Sequence, residues 1–267
     1  MRTLYIVKAG STFAPIAHTL GDFEHWIADG LAPANVLPAQ RPALAILHAA
    51  DAVHGPLAYP DPQQCAGVVI SGSHAMVTDN APWMQALEQW LHHVCMAGVP
   101  VLGICFGHQL LAQVLGGHVS MHPAGLELGT VPVSIQADVS QDPLWQHMPQ
   151  CFDAQVVHYQ SVRRLPEGAC VLAGNSHEPH QAFRWRHNVW GVQFHPEFSQ
   201  AAMQGYIDHV EQDLAKHGAS SLPSRHLRCT DTPDAAQLLY QFMRHTQQPV
   251  HGSAGNDASS AAWHCAA

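Results

Sequence analysis

Two stretches of this chain carry residues able to do chemistry together. In the first, Val99-Pro-Val-Leu-Gly-Ile-Cys-Phe-Gly-His-Gln-Leu-Leu-Ala-Gln-Val-Leu-Gly-Gly117, the apolar run from Val99 to Ile104 reads as a strand buried on both faces. The periodic segment from Gln109 to Leu115 reads as a helix. Cys105 falls at the turn between them, beside a helix N-terminus whose free N–H groups and dipole favour the thiolate, the form that attacks carbonyls. Gly103 and Gly107 flank it, and a sharp strand-to-helix elbow is expected to force dihedrals there that a side chain resists. In the second stretch, Trp190-Gly-Val-Gln-Phe-His-Pro-Glu-Phe198, an apolar strand runs into His195, Pro196 stops it, and Glu197 follows. A base and the carboxylate that orients it can thus leave one sheet edge side by side. Cys105, His195 and Glu197 form a candidate nucleophile, base and orienting group. Taken alone, Cys105 reads first as a small core residue, and it is the second stretch that sets it apart.

These groups need a scaffold. The chain has 267 residues, 47% of them hydrophobic, enough for one sizeable domain with a substantial core. Eleven basic against twenty acidic residues give a net charge of −9, which argues against a nucleic-acid or anionic-membrane partner. Seven cysteines without paired spacing favour a reducing, cytoplasmic setting over a disulfide framework. No run approaches the length of a signal peptide or membrane span.

Strands are expected at Leu4 to Val7, Ala43 to His48 and Ala66 to Ser71. An amphipathic helix is expected from about Ala14 to Ala28, and another opened by Pro82 with Asn80 or Asp79 as its cap and Leu87, Trp90, Leu91 and Val94 as its stripe. This alternation indicates parallel strands joined by right-handed crossovers, with Gly72, Cys105 and His195 outside the carboxyl ends of the strands. After Gly117 the pattern changes to short β segments near 118–121, 129–135, 152–158, 171–174, 182–185 and 189–194, with Asn188 turning between the last two. Helices follow at 199–217 and about 234–245, separated by a break at 218–224, and residues 247–267 read as a frayed tail to a single 1–246 domain. The fold class is α/β: a central mostly parallel sheet flanked by helices, with antiparallel strands added in the second half.

The segments Gly103-Ile-Cys-Phe-Gly-His-Gln109 and His195-Pro-Glu197, in this order and separation, resemble the signature of class I glutamine amidotransferases. Val68-Val-Ile-Ser-Gly-Ser-His-Ala75 resembles that family's strand and glycine-rich oxyanion loop. The likeness spans roughly residues 40 to 200 and is nearest to the glutaminase part of GMP synthetase. It implies a flavodoxin-like fold and hydrolysis of the glutamine side-chain amide through a Cys-His-Glu triad and a γ-glutamyl thioester, releasing glutamate and ammonia. It implies Cys105, His195 and Glu197 as catalytic, with Gly72, Ser73 and Phe106 supplying oxyanion N–H groups.

By the same likeness Gln109 contacts the substrate, against a capping or solvent-facing amide as the plain alternative. Val156 to Pro166 resembles the segment that binds the α-amino and α-carboxylate groups; it aligns His158 with a family histidine and points to Tyr159 and Gln160, although the family's Ser-His-Gly-Asp is absent. Glu127, in Gly125-Leu-Glu-Leu-Gly129, reads either as a residue near the nucleophile or as a solvated hairpin carboxylate.

No cofactor is expected: Gly10-Ser-Thr12 matches neither a Walker nor a dinucleotide pattern, and the 22 histidines lack ligand spacing for a metal. Three functions remain open. One is a glutaminase feeding ammonia to a separate synthase subunit. Another is a stand-alone hydrolase or transferase of γ-glutamyl amides or peptides, and the third a catalytically weak regulatory or binding protein on the same fold.

Overall fold

The computed structural model describes residues 2–50, 58–216 and 227–248. In chain order the elements are β1 (Thr3–Lys8), α1 (Ala14–Leu20), α2 (Phe23–Leu31), β2 (Leu44–His48), β3 (Cys65–Ile70), α3 (Pro82–Met96), β4 (Val101–Ile104) and α4 (Phe106–Val114). Then follow β5 (His118–Met121), β6 (Glu127–Ile135), β7 (Cys151–His158), β8 (Gln160–Arg164), β9 (Ala169–Gly174), β10 (Ala182–Trp185), β11 (Val189–Val192), α5 (Gln200–Lys216) and α6 (Pro233–Thr246). One nine-stranded sheet runs β2-β1-β3-β4-β11-β10-β9-β6-β7, and β5 pairs with β8 in a separate ribbon. The first five strands of that order are parallel and the remainder antiparallel. This is the expected α/β architecture, with its antiparallel extension contributed by the second half of the chain.

Alternation along the central strands splits the apolar side chains between two faces. Leu4, Ile6, Val69, Leu102 and Ile104 pack with Ile27 and Leu31 of α2 and Leu238 and Phe242 of α6. Val7, Val68, Ile70 and Val101 pack instead with Leu87, Leu91 and Val94 of α3 and Leu110 and Leu111 of α4. The α3 stripe read from sequence is buried, Trp90 included.

Several local expectations are corrected. The helix expected from Ala14 to Ala28 is two helices, because Gly21 adopts φ 87° and Asp22 caps α2, accepting from the Phe23 N–H at 2.8 Å. Neither Asp79 nor Asn80 caps α3. Ala81 holds that position with no side-chain cap, while Asn80, at φ 49°, ends a preceding 3₁₀ turn. β8 was not expected, since its Gln160-Ser-Val-Arg-Arg164 has too little apolar character to read as a strand. In the turn before β11 the positive φ belongs to Arg186, and Asn188 anchors the strand by donating its side-chain amide to the Gly98 carbonyl at 2.8 Å.

Cys65, Cys95, Cys105, Cys151 and Cys229 are free thiols, but Cys170 is disulfide-bonded, so the expectation of unpaired cysteines fails there. The expected break at 218–224 and tail beyond residue 248 lie outside the described residues. Among the described residues no helix is long and apolar enough to cross a membrane.

Candidate active site

β4 and β11 lie side by side in parallel, Ile104 opposite Val192, and both end at the same sheet edge. Pairing continues into the elbow, where the Cys105 N–H donates to the Val192 carbonyl at 2.8 Å. Cys105 is the N-cap of α4 at φ 51°, ψ −100°. A non-glycine residue there is strained by about 1–3 kcal/mol, held in place by the strand before it and the helix after it. The flanking glycines serve a different purpose from the one expected. Neither has a positive φ; a Cβ on Gly103 would stand 2.4 Å from the Gly107 carbonyl oxygen, and one on Gly107 2.6 Å from that of Ile70. They let α4 press against the sheet, while the sulfur-bearing residue takes the dihedral strain.

Beyond β11 the chain turns inward. His195 is buried, and its Nδ1 donates to Glu197 Oε1 at 2.7 Å. That leaves Nε2, buried without a hydrogen-bond partner, to exchange a proton with the Cys105 sulfur or a bound substrate. Burial, the largest influence, pulls the imidazole pKa down, but the Glu197 carboxylate and Cys105 outweigh it and push it up to about 10. The ring stacks on Phe198 at 4.1 Å and lies parallel to Phe23 at 6.2 Å. Gly72 permits this placement, since a Cβ on it would sit 2.9 Å from His195 Cε1.

A cavity of about 340 Å³ opens at this edge, lined by Cys105 and His195 and by Ser73, Phe106, Gln109, Tyr159 and Gln160. Five residue positions read from sequence as oxyanion or substrate contacts thus meet in one hollow with Cys105 and His195. Gly72 and Glu197 stand behind it. The cavity lies where strand order reverses, β1 leading outward to β2 and β3 returning on the other side, the usual ligand position in open α/β sheets.

The profile of the family described as Glutamine amidotransferase class-I matches residues 23–209. The chain belongs to the class-I glutamine amidotransferase family. Among its relatives, a GMP synthase [glutamine-hydrolyzing] of Aeropyrum pernix is 39% identical over 134 residues, covering 50% of this chain and 24% of that one. The chain therefore spans about a quarter of the length of that synthase. Gamma-glutamyl peptidase 4 of Arabidopsis thaliana is 28% identical over 170 residues, 61% of this chain and 68% of the relative. The same fold occurs in a glutamine amido transferase from Methylobacillus Flagellatus, with a TM-score of 0.69 at 20% identity over 96% of this chain and 100% of that one.

Within this amidotransferase fold the polar residues around Cys105 and His195 form a connected set. Gln109 is neither a cap nor solvent-facing: its amide N–H₂ bridges the Gln160 carbonyl at 2.8 Å and Gln193 Oε1 at 3.0 Å. Gln193, absent from the sequence reading, donates in turn to Cys105 Sγ at 3.5 Å. Its signal was a lone glutamine in the otherwise apolar run Trp190 to Phe194, and the structure buries it fully just past the end of β11.

Glu127 is not a solvated hairpin carboxylate. It is buried, and accepts from His158 Nε2, Asn175 Nδ2 and Gln181 Nε2, each at 2.8 Å. Burial opposes its charge, yet the bonds and charge of His158 hold its pKa below the usual carboxylate range. His158 Nδ1 also meets the Gln160 carbonyl, at 3.0 Å. Both ring nitrogens face oxygen atoms, and these two contacts pin the segment carrying Tyr159 and Gln160.

His108, beside the nucleophile in sequence, is wholly buried against Phe183, its pKa lowered by burial to about 3, and it does not line the cavity. The described residues contain no group of histidine, cysteine and carboxylate side chains fit to hold a metal.

Proposed function

We propose that this chain hydrolyses the γ-amide of glutamine or of a γ-glutamyl amide, with Cys105 as nucleophile, His195 as proton carrier and Glu197 as the group that orients and charges His195. The observation that carries the reading is the buried His195–Glu197 pair, whose free Nε2 shares a cavity with a cysteine held at a strained elbow.

With the proton resting on the imidazole, the sulfur is available as thiolate and adds to the γ-carbonyl carbon, forming a C–S bond and a tetrahedral oxyanion. The Phe106 N–H, unpaired within α4 because it opens the helix, and the N–H groups of Gly72 and Ser73 receive that charge. His195 gives its proton to the departing nitrogen as the C–N bond breaks, and the amine or ammonia leaves a γ-glutamyl thioester. Water then loses a proton to His195 and attacks the thioester; the C–S bond breaks, and glutamate and the thiolate are restored.

A γ-glutamyl peptide or amide substrate is a supported second reading, because the match to the γ-glutamyl peptidase covers 68% of that protein. As a glutaminase the chain would need an acceptor for ammonia, such as a separate synthase subunit. An intact triad opposes a purely regulatory role.

The test is glutamate release by the purified chain from glutamine and from simple γ-glutamyl amides, wild type beside Cys105→Ala. Release from at least one amide is expected, and Cys105→Ala is expected to abolish it. Undiminished release by the variant would mean that Cys105 is not the nucleophile.

A further inference from the structure

The geometry points to a subsite for an aromatic amine on the His195 side of the cavity, so that the preferred substrate is a γ-glutamyl amide of an arylalkyl amine rather than glutamine itself. This rests on the triad reading above.

The direction of the leaving group follows from proton transfer. His195 must protonate the departing nitrogen, so whatever that nitrogen carries extends past His195, away from the Tyr159–Gln160 side assigned to the glutamyl part. On the His195 side the protein presents rings in succession. His195 stacks on Phe198 at 4.1 Å, Phe198 meets Tyr206 at 5.0 Å, and Tyr206 meets Phe13 at 5.1 Å. Phe13 in turn stacks with His74 at 4.2 Å and with His209 at 3.6 Å, at interplanar angles of 28° and 20°. Phe13, His74, Tyr206 and His209 all line the same cavity as Cys105. Ammonia has no use for such a wall, whereas an arene gains both buried area and ring-edge or stacked contact from it.

The wall is preorganised. The Thr12 N–H donates to Asp22 Oδ1 at 2.8 Å and the Thr12 hydroxyl to Tyr206 Oη at 2.9 Å, which fixes the loop that carries Phe13 against α5. His74 Nε2 lies 3.2 Å from the same Tyr206 oxygen. Burial and the neighbouring His209 and His195 lower the pKa of His74, which keeps the ring neutral and its face apolar near pH 7. The cavity lining among the described residues includes no lysine or arginine and one carboxylate, Asp213, so it offers no fixed cation to a carboxylate or phosphate on the leaving amine. At about 340 Å³ the cavity is in the range that encloses substantial organic ligands.

The experiment measures kcat/KM for glutamate release by the wild-type chain from glutamine and from γ-glutamyl ethylamide, 2-cyclohexylethylamide and 2-phenylethylamide. The phenylethylamide is expected to exceed the ethylamide by on the order of ten- to a hundredfold, with the cyclohexyl compound between them. In Phe13→Ala the phenylethyl-to-ethyl ratio is expected to fall at least about fivefold. A wild-type ratio near one, with every amide turned over in a Cys105-dependent way, overturns the subsite and leaves the triad reading intact. Equal rates for cyclohexyl and phenyl compounds overturn the aromatic assignment. No Cys105-dependent glutamate from any amide removes the triad reading itself, and the subsite with it. The wild-type series decides the matter even where Phe13→Ala fails to fold.

Discussion

Cys105 sits in a backbone conformation that only its surroundings can enforce, and Gln193 is the side chain that completes those surroundings. The Gln193 amide donates to the sulfur at 3.5 Å and accepts from Gln109 at 3.0 Å, so one buried group both contacts the proposed nucleophile and ties α4 to the end of β11. A donor to a developing or resting anion in a dry site contributes more than the same bond in water. Gln193→Leu is therefore expected to lower kcat/KM by on the order of ten- to a hundredfold and to slow alkylation of Cys105 by a glutamine-like electrophile, while the fold persists. Unchanged alkylation would show that the sulfur needs no such donor. At this scale the meeting of Cys105 with His195 and Glu197 was legible because these residue types are rare neighbours of strand ends. Gln193 and the Glu127–His158 pair were not, because their roles depend on partners 31 to 88 residues away that no local pattern reveals.

The loop between β1 and α1 is the element on which the cavity wall depends, and a charged cluster holds it. Lys8 donates to Asp22 at 2.8 Å and to Glu24 at 2.7 Å, at the point where β1 ends and α2 begins. Asp22 also takes the Thr12 N–H and caps α2, so one carboxylate fixes loop, helix and strand end together. Burial works against its charge, but Lys8 and the backbone donors hold its pKa below the ordinary carboxylate value. A depressed carboxylate stabilises the fold above its unfolded pKa and loses that contribution as pH falls through the folded value. Lys8→Met leaves two carboxylates facing each other and is expected to cost about 3 kcal/mol. Acid unfolding is also expected to begin at higher pH than in the wild type, followed by circular dichroism across an acid titration. An unchanged acid midpoint would remove the cluster from this role. The sequence read this region as one helix: the apolar period runs through Gly21 and Asp22, and only the φ of 87° at Gly21 and the capping bonds of Asp22 reveal the break. Parallel strands were easier to read, because burial on both faces leaves continuous apolar runs. The edge strand β2 was still legible from its apolar Leu44-Ala-Ile-Leu run, whereas β8, with Gln160, Ser161, Arg163 and Arg164 in five residues, carries no such mark.

Across the whole molecule, Cys105 and His195 follow strands, β4 and β11, that are neighbours in the sheet and distant in the chain. Gln193 lies 88 residues beyond Cys105, and β5 to β10 are laid down between β4 and β11 before β11 returns to pair with β4 on one side and β10 on the other. Closing so long a loop is slow relative to forming local helices and hairpins. In refolding from denaturant, reactivity of Cys105 toward a glutamine-like electrophile is expected to return with the last spectroscopic phase; recovery in an early phase would contradict this. The insertion of β11 thus acts as a completeness check. A chain synthesised only as far as β10 holds Cys105 without His195, Glu197 or Gln193 beside it, and the parts of the proposed site come together only once β11 is threaded home.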